Sequence, residues 1–506
     1  MTLRIVPLGG LGEIGMNCLA IEQPDGILVV DAGITFPHQD LGVDVYHPDF
    51  SWLDQHADRV VGVFLTHGHE DHVGALPYLL EHLDVPVFGP PHALAMAKRR
   101  LVEHDFASHD LDLHEVRAGS LTRVGPFEVE AIRVSHSIVE ASALCIETAE
   151  GFVVHTGDFT FDDAPPDGEP ADVARLEAIG SRGVELLLSD STNVDTPERA
   201  GSERGVGAAL ERIVSQAPAR VVIALFASNV QRLISLGGIA ARTGRRIALL
   251  GRSLTTQREI ASAIGRLKWP SNLLVAPEEI KNVPRDQLIL LAGGTQAEPN
   301  SAMSRLASGA HPHLTLDSGD SVVFSSRVIP GNERAVLALM NDLLRRGLTL
   351  HTRATDPDVH TSGHAGRSEQ RRMIELTAPR AFVPVHGTLS HLLRHAELAR
   401  EIGVGEALVV ENGQSVRFSR QQGLSRGERV ACGRIAVGQG GEPLSVETLE
   451  LRAELGRRGL VCVSLRLDES GEVRDSPLVA SRGVPLMDGD EAALRSVARD
   501  VTASLA

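Results

Sequence analysis

The chain has 506 residues, with 66 acidic against 49 Lys and Arg side chains, a formal net charge of -17 and 42% hydrophobic residues. That length calls for two or three domains rather than one core. The acidic balance excludes a non-specific nucleic-acid coat protein but leaves room for an enzyme with a local basic channel and divalent cations. Aromatic residues make up only 3% of the chain, which excludes a long series of base-stacking platforms.

No apolar run is long enough to span a bilayer. Residues 1–7 lack a charged segment followed by an apolar one, so no membrane association and a cytoplasmic location are expected. Cys18, Cys145, Cys432 and Cys462 are scattered in apolar settings, so buried reduced thiols are expected rather than a disulfide framework.

Residues 3–8 read as a strand. The glycines that follow, Gly9-Gly10-Leu11-Gly12-Glu13-Ile14-Gly15, contain a literal G-x-G-x-x-G. A dinucleotide fingerprint needs a helix after its glycines. Here residues 17–22 and 26–31 read as two further strands around a turn, so three antiparallel strands are expected. Asp31 ends its strand and is a candidate for holding a metal-ligating His from behind.

The apolar run 60–65 reads as a buried strand leading into Thr66-His67-Gly68-His69-Glu70-Asp71-His72, with a helix expected over 73–83. Three His and one Asp in six positions exceed what one tetrahedral ion needs. Two ions sharing the loop is the simpler reading, with His67 and His69 facing one and Asp71 and His72 the other. A solvated polar turn is the bland alternative.

Beyond the loop, strands are expected at 85–89, 129–134, 151–158 and 185–188, with a helix over 92–103 carrying Lys98-Arg99-Arg100. Several of these strands hand off to polar residues: His136, Asp158, and Ser189-Asp190-Ser191-Thr192-Asn193. Ligand sites in layered α/β folds gather at such edges. His136 and Asp158 are natural additions to a dinuclear site. Asp158 can bridge, and His386, after the strand 381–385, can complete the second ion.

From about residue 201 helices and strands alternate, which argues a parallel sheet in a separate domain. The His-rich chemistry returns at His360-Thr361-Ser362-Gly363-His364 and at His386, so this second domain reads as an insertion. A tail follows with a helix over 445–457, a strand over 460–467 and a helix over 490–503.

The His-x-His-x-Asp-His loop resembles the metallo-β-lactamase superfamily. Asp190, His364 and His386, in their Ser-Asp-Ser-Thr-Asn, Ser-Gly-His and Pro-Val-His-Gly contexts, resemble motifs A, B and C of the β-CASP nucleases. The stretches Leu8 to Gly15, Thr156-Gly157-Asp158, Phe226-Ala227-Ser228-Asn229, Gly251-Arg252-Ser253 and Ile329-Pro330-Gly331-Asn332-Glu333 are similar to the ribonuclease J family.

The resemblance implies an α/β fold: a metallo-β-lactamase αββα sandwich at 1–200 and 351–425, an inserted α/β β-CASP domain at 201–350, and a linker with a short α+β C-terminal domain at 426–506. It implies two zinc ions per chain, with Mn²⁺ or Mg²⁺ as substitutes. His67, His69 and His136 would hold one ion, Asp71, His72 and His386 the other, and Asp158 would bridge. Asp71, Asp190 and His364 would serve catalysis. Asp190 would orient the site or accept a proton, and His364 would donate to the phosphate or help the leaving group. Ser228, Asn229, His360, Thr361, Ser362, Gly363 and His364 match the family's terminal-phosphate pocket. His386 at motif C goes with RNA rather than DNA.

The implied activity is 5′-to-3′ exonuclease on single-stranded RNA with a 5′-monophosphate, plus endonuclease, in rRNA processing and mRNA decay. A homodimer or homotetramer and an RNA-decay assembly are the implied partners. Asp40-Leu41-Gly42-Val43-Asp44 is similar to the family's cation-carrying acidic loop, or is an ordinary turn. Two departures stand out. Ala297 occupies the place of a family glycine in Gly294-Thr295-Gln296-Ala297-Glu298-Pro299, where a different backbone is expected. The tail, which resembles the family's C-terminal domain at 479–484, ends one helix later. Alternative readings are a hydrolase of small thioesters or lactones and a β-CASP scaffold without catalysis. Arg99, Arg100, Arg252 and Arg327 are candidates for a basic channel.

Overall fold

The computed structural model describes residues 2–37, 41–485 and 487–505. Two sheets carry the larger unit. The first has eight strands in the order Gly423–Arg429, Gln414–Ser419, Leu3–Gly9, Cys18–Gln23, Gly26–Val30, Val60–Phe64, Val87–Gly89 and Leu113–Glu115. The second has seven, in the order Glu406–Ala407, Ala381–Val385, Val184–Asp190, Gly151–His155, Ser142–Thr148, Phe127–Arg133 and Leu121–Val124. The strands Leu3–Gly9, Cys18–Gln23 and Gly26–Val30 pair antiparallel, and no helix follows the glycines.

The sheets face one another through a single apolar core. Ile5, Leu19, Ile21, Leu28 and Phe64 come from the first sheet, and Val129, Leu144, Ile146, Leu186 and Val383 from the second. Each such side chain contributes roughly 1.5–3 kcal/mol by leaving water. The outer face of the second sheet is covered by Leu176 and Ile179 of the helix Val173–Arg182 and by Met373 and Ile374 of Arg367–Thr377. This is the expected layered sandwich.

Between Val184–Asp190 and Ala381–Val385 lies a separate all-parallel sheet, in the order Arg246–Leu250, Leu288–Ala292, Val221–Ala224, Ser321–Phe324 and Thr349–His351. Helices bury apolar side chains on both of its faces. The flanking strands pair with each other in parallel, Asp190 opposite Val385. The chain therefore leaves the sandwich and returns to the next position in the same sheet. That register sets Asp190 beside His386.

Two expectations need correction, the single helix over 73–83 and the burial of all four cysteines. The helix expected over 73–83 is two short ones, Glu70–Val73 and Leu76–Leu80. The Ala75 amide donates to the Ala32 carbonyl at 2.8 Å, and Pro77 has no amide to donate. By compactness the chain divides into Met1–Thr35 with His47–Arg434, and Phe36–Tyr46 with Ile435–Ala506. Segment 36–46 thus groups with the tail, which its polar turn residues gave no sign of.

In the smaller unit the helix Val446–Arg458, the strand Leu460–Ser464 and the helix Glu491–Leu505 fall where expected, and Leu478–Arg482 is an additional strand paired to Leu460–Ser464. All four cysteines are free thiols, but Cys462 is exposed, because its two-stranded ribbon leaves a face to water, and Cys432 is half-buried in the loop before the strand Arg434–Gly438. Among the described residues no helix is long and apolar enough to cross a membrane.

Candidate metal centre and substrate site

The His-rich loop is held by its backbone. The carbonyls of Glu70, Asp71 and His72 accept from the amides of Ile34, Asn17 and Ala32 at 3.0, 3.0 and 2.8 Å. Gly33 permits this approach, since a Cβ there would meet the Asp71 carbonyl oxygen at 1.7 Å. Side chains add to the hold. Asn17 Nδ2 donates to the Asp71 carbonyl at 3.0 Å, and Arg100 donates to both carboxylate oxygens of Glu70.

Two donor groups converge behind this frame. His67 Nε2 and His136 Nε2 lie 3.0 and 3.1 Å from His69 Nδ1, and 3.7 and 3.9 Å from Asp158 Oδ2. His72 Nε2 lies 3.3 Å from Asp158 Oδ2 and 3.7 Å from Asp71 Oδ2, and His386 Nε2 lies 3.4 Å from Asp71 Oδ2. Within each set, His67, His69, His136 and Asp158, or Asp71, His72, Asp158 and His386, one ligand atom per residue lies within 4.8 Å of the others. Asp158 belongs to both. Tetrahedral donors at about 2.0–2.1 Å from a cation stand roughly 3.3 Å apart, so these spacings fit one ion in each set.

The far sides of four of the five rings fit as well, while His69 Nε2 is buried without a partner. A ligating imidazole normally spends its other nitrogen on an outer partner. His72 Nδ1 lies 2.7 Å from Asp31 Oδ2, His67 Nδ1 3.0 Å from Thr66 Oγ1, and His136 Nδ1 2.6 Å from the Gly363 carbonyl. His386 Nδ1 faces Thr192 Oγ1 and, at 3.3 Å, Asp190 Oδ1. Asp31 also accepts from the Thr66 amide and hydroxyl at 2.7 and 2.8 Å. Asp31 and His386 both end strands with positive φ, 61° and 52°. Such backbone costs about 1–3 kcal/mol per residue and clusters where function demands it.

The two sets differ in electrostatics. Burial pushes His69 down to about 4 and His136 to about 3, and holds His67 well below its ordinary value, so these rings are neutral as ligands must be. In the other set burial is outweighed by carboxylates. Asp158, Asp71 and Asp31 hold His72 well above its ordinary value, and Asp158, Asp190 and Asp71 raise His386 to about 10. Despite burial, His386, His72 and His364 hold the Asp158 carboxyl well below the usual range. These protons balance a surplus of buried carboxylate, which a divalent cation would balance equally well.

A third group sits beside the first two. His364 Nδ1 lies 2.9 Å from Asp190 Oδ2 and 3.8 Å from Asp158 Oδ2. Against burial, Asp190 and Asp158 raise His364 above its ordinary value. Asp190 is itself fully buried, and its Oδ1 also accepts from the Thr192 amide at 2.9 Å. It holds both motif histidines by their Nδ1 atoms.

The comparisons agree with this geometry. Family models match at residues 11–224 (metallo-beta-lactamase superfamily), 218–343 (ribonuclease J, beta-CASP domain) and 357–410 (Zn-dependent metallo-hydrolase RNA specificity domain). The chain is 36% identical to ribonuclease J 1 of Streptococcus pyogenes over 95% of its own length and 86% of that relative's. It is 39% identical to ribonuclease J of Mycobacterium tuberculosis, over 86% and 77% of the two lengths. It is 38% identical to ribonuclease J of Helicobacter pylori, where it spans 60% of the relative. The chain belongs to the ribonuclease J family. A crystal structure of a protein of unknown function from Enterococcus faecalis superposes with a TM-score of 0.59 at 17% identity, over 83% of this chain and all of the other, and shows the same fold.

As a ribonuclease J family member the chain is a metal-dependent ribonuclease, and RNA is its substrate. The expected terminal-phosphate residues are only partly alike in setting. Thr361, Ser362 and Gly363 line a cavity with Ser135, Ser137 and Gln231, next to His136. Thr361 Oγ1 and His360 Nδ1 are buried without a hydrogen-bond partner. Gly363 is needed for close approach, but to His136: a Cβ would meet that ring's Cε1 at 2.9 Å. Ser228 is half-buried just ahead of the helix Val230–Thr243. Asn229 is buried, and both of its side-chain atoms are engaged. Oδ1 caps that helix by accepting from the Arg232 amide at 2.8 Å, and Nδ2 donates to Glu203 at 3.3 Å.

The basic candidates also separate. Arg99 pairs with Glu103 on its own helix, whereas Arg100 pairs with Glu103 and with Glu70 and so braces the metal loop. Arg327 is exposed beside the site, where NH1 reaches Asn193 Oδ1 at 3.5 Å and Asn193 Nδ2 donates to the His364 carbonyl at 3.3 Å. Arg252 is exposed at the start of the helix Arg252–Ala263. Asp40 of the acidic segment lies outside the described residues, and Asp44 is exposed in the strand Val43–Pro48. Ala297 adopts φ 60°, the region that favours glycine, so alanine makes this turn under strain. Sequence reasoning gave no role to Asn17, Thr66 or Thr192, since loop Asn and Thr carry no motif of their own.

Proposed function

We propose that the chain hydrolyses RNA phosphodiester bonds with two zinc ions, Mn²⁺ or Mg²⁺ substituting, from 5′-monophosphorylated ends and also internally. The observation that carries this is the pair of donor sets joined through Asp158 with Asp190 and His364 alongside. Bound cations would supply Lewis acidity toward the scissile phosphate and activate water. His67, His69 and His136 would hold one ion, Asp71, His72 and His386 the other, and Asp158 both.

Asp31, Thr66, Thr192 and Asp190 fix the ligating rings through their far nitrogens. Asp190 also fixes His364 and, with Asp158, raises it above its ordinary value against burial, which favours the protonated ring that would donate to a phosphate oxygen or the leaving 3′ oxygen. Thr361 and Ser362 offer short polar groups to a terminal phosphate. A small-thioester hydrolase would have no use for this extension of the site.

Action in rRNA processing and mRNA decay in the cytoplasm, a homodimer or homotetramer, an RNA-decay assembly, and the division at 201, 351 and 426 complete the proposal. The test is to compare the purified chain, loaded with Zn²⁺ or Mn²⁺, on one RNA bearing a 5′-monophosphate or a 5′-triphosphate. Faster degradation of the monophosphate form is expected; equal rates remove the terminal-phosphate pocket.

A further inference from the structure

A fully buried guanidinium lies behind the segment that would read the RNA end. Arg232, in the first turn of the helix Val230–Thr243, has no exposed surface. Its Nε and NH2 donate to Glu203 Oε2 and Oε1 at 2.8 and 2.7 Å, a two-pronged pair. Its NH1 donates to the Ser325 carbonyl at 3.0 Å and to the Ser325 hydroxyl. The Ser325 hydroxyl in turn donates to the Val359 carbonyl at 2.6 Å. The next residue is His360.

Glu203 also takes the Asn229 amide, and Asn229 caps the helix that carries Arg232. One charge pair thus ties together the start of the helix Glu203–Gln216, the turn at Ser228 and Asn229, and the approach to residues 360–364. Burying such a pair adds little net stability over an apolar pair of the same volume, so its value here lies in geometry. His360 adds a second observation. Its Nδ1 is buried and unpartnered, and burial, with the nearby cations Arg232, Arg353 and Arg327, pushes the ring down to about 3. Thr361 Oγ1 beside it is likewise buried without a partner, so two polar atoms of this segment are open to a ligand.

We propose that the Arg232–Glu203 pair, acting through the Ser325 hydroxyl, is the positioning device that sets residues 360–364 to recognise a 5′-terminal monophosphate on RNA. The inference rests on the terminal-phosphate reading above. Arg232, Glu203 and Ser325 are positioning residues that act through the 360–364 segment.

The test uses Ser325→Ala in the full, metal-loaded chain, because this removes the relay and leaves the buried pair with the Ser325 carbonyl. Steady-state kinetics are measured on one RNA carrying either a 5′-monophosphate or a 5′-hydroxyl. For the monophosphate form KM is expected to rise about tenfold with kcat held within about twofold. The 5′-hydroxyl form is expected to be unchanged, and Ser325→Thr, which keeps the hydroxyl, to recover the monophosphate KM. An unchanged monophosphate KM in Ser325→Ala overturns the inference, as does an equal rise on both RNAs, which marks a merely structural role. If the unsubstituted chain itself treats both ends alike, the terminal-phosphate reading falls and takes the inference with it.

Discussion

Asp31→Asn isolates how the protein would prepare the proposed second ion site. The carboxylate accepts the Thr66 amide on Oδ1 at 2.7 Å, and the Thr66 hydroxyl and His72 Nδ1 on Oδ2 at 2.8 and 2.7 Å. For His72 Nε2 to offer its lone pair to a cation, the ring proton must stay on Nδ1, where Asp31 keeps it. An asparagine of the same shape must keep its oxygen toward the Thr66 amide, which turns its NH₂ toward His72 Nδ1. Two donors then face each other, and the ring relieves the clash by moving its proton to Nε2, the ligand atom. Loss of such an outer partner weakens metal binding about 10- to 100-fold, or roughly 1.4–2.7 kcal/mol. Calorimetric titration of the metal-stripped chain with Zn²⁺ should show one of two sites weakened by that factor. The other site, built on His67, His69 and His136, should stay within about threefold. Unchanged affinity at both sites would refute the reasoning.

Two further outcomes are expected. Ala297→Gly relieves the positive φ at this turn; after the added entropy of the unfolded chain, a gain of about 0.5–1 kcal/mol remains, read as a higher urea midpoint. A lower midpoint would mean that the alanine methyl contributes packing that outweighs the strain. His395 is buried, with Nδ1 3.0 Å from Ser191 Oγ and Nε2 unpartnered, and burial pushes it down to about 3. Its folded value lies below the unfolded one, so its stability contribution is whole above about pH 6.5 and is lost as the pH falls from there toward 3. His395→Gln should flatten the acid limb of stability against pH by up to about 1.4 kcal/mol per pH unit, and an unaltered limb would count against a neutral buried ring.

The parts legible in the sequence share one cause. Apolar strands ending in His or Asp must turn those side chains out at a sheet edge, so His67, His136, Asp158, Asp190 and His386 were all findable, and the structure brings them together. The return of His-rich chemistry after 201–350 revealed the insertion, because the strand Ala381–Val385 has its partner in Val184–Asp190. What escaped the sequence depends on contacts between distant residues of common types. Thr192 reaches His386, Asn17 reaches Asp71, and Ser325 joins Arg232 to Val359, with nothing in their local spacing to announce it. Asn229 resembled a phosphate ligand by position, yet its hydrogen bonds are spent on Glu203 and the helix. The helix over 73–83 broke because Ala32 competes for an amide that periodicity alone assigns to the helix.

The central claim is a centre of two ions shared through Asp158. Elemental analysis of the active chain after exhaustive dialysis tests it most directly. About two divalent ions per chain are expected for the unsubstituted protein. One ion or none in a preparation that still cleaves RNA would contradict the account.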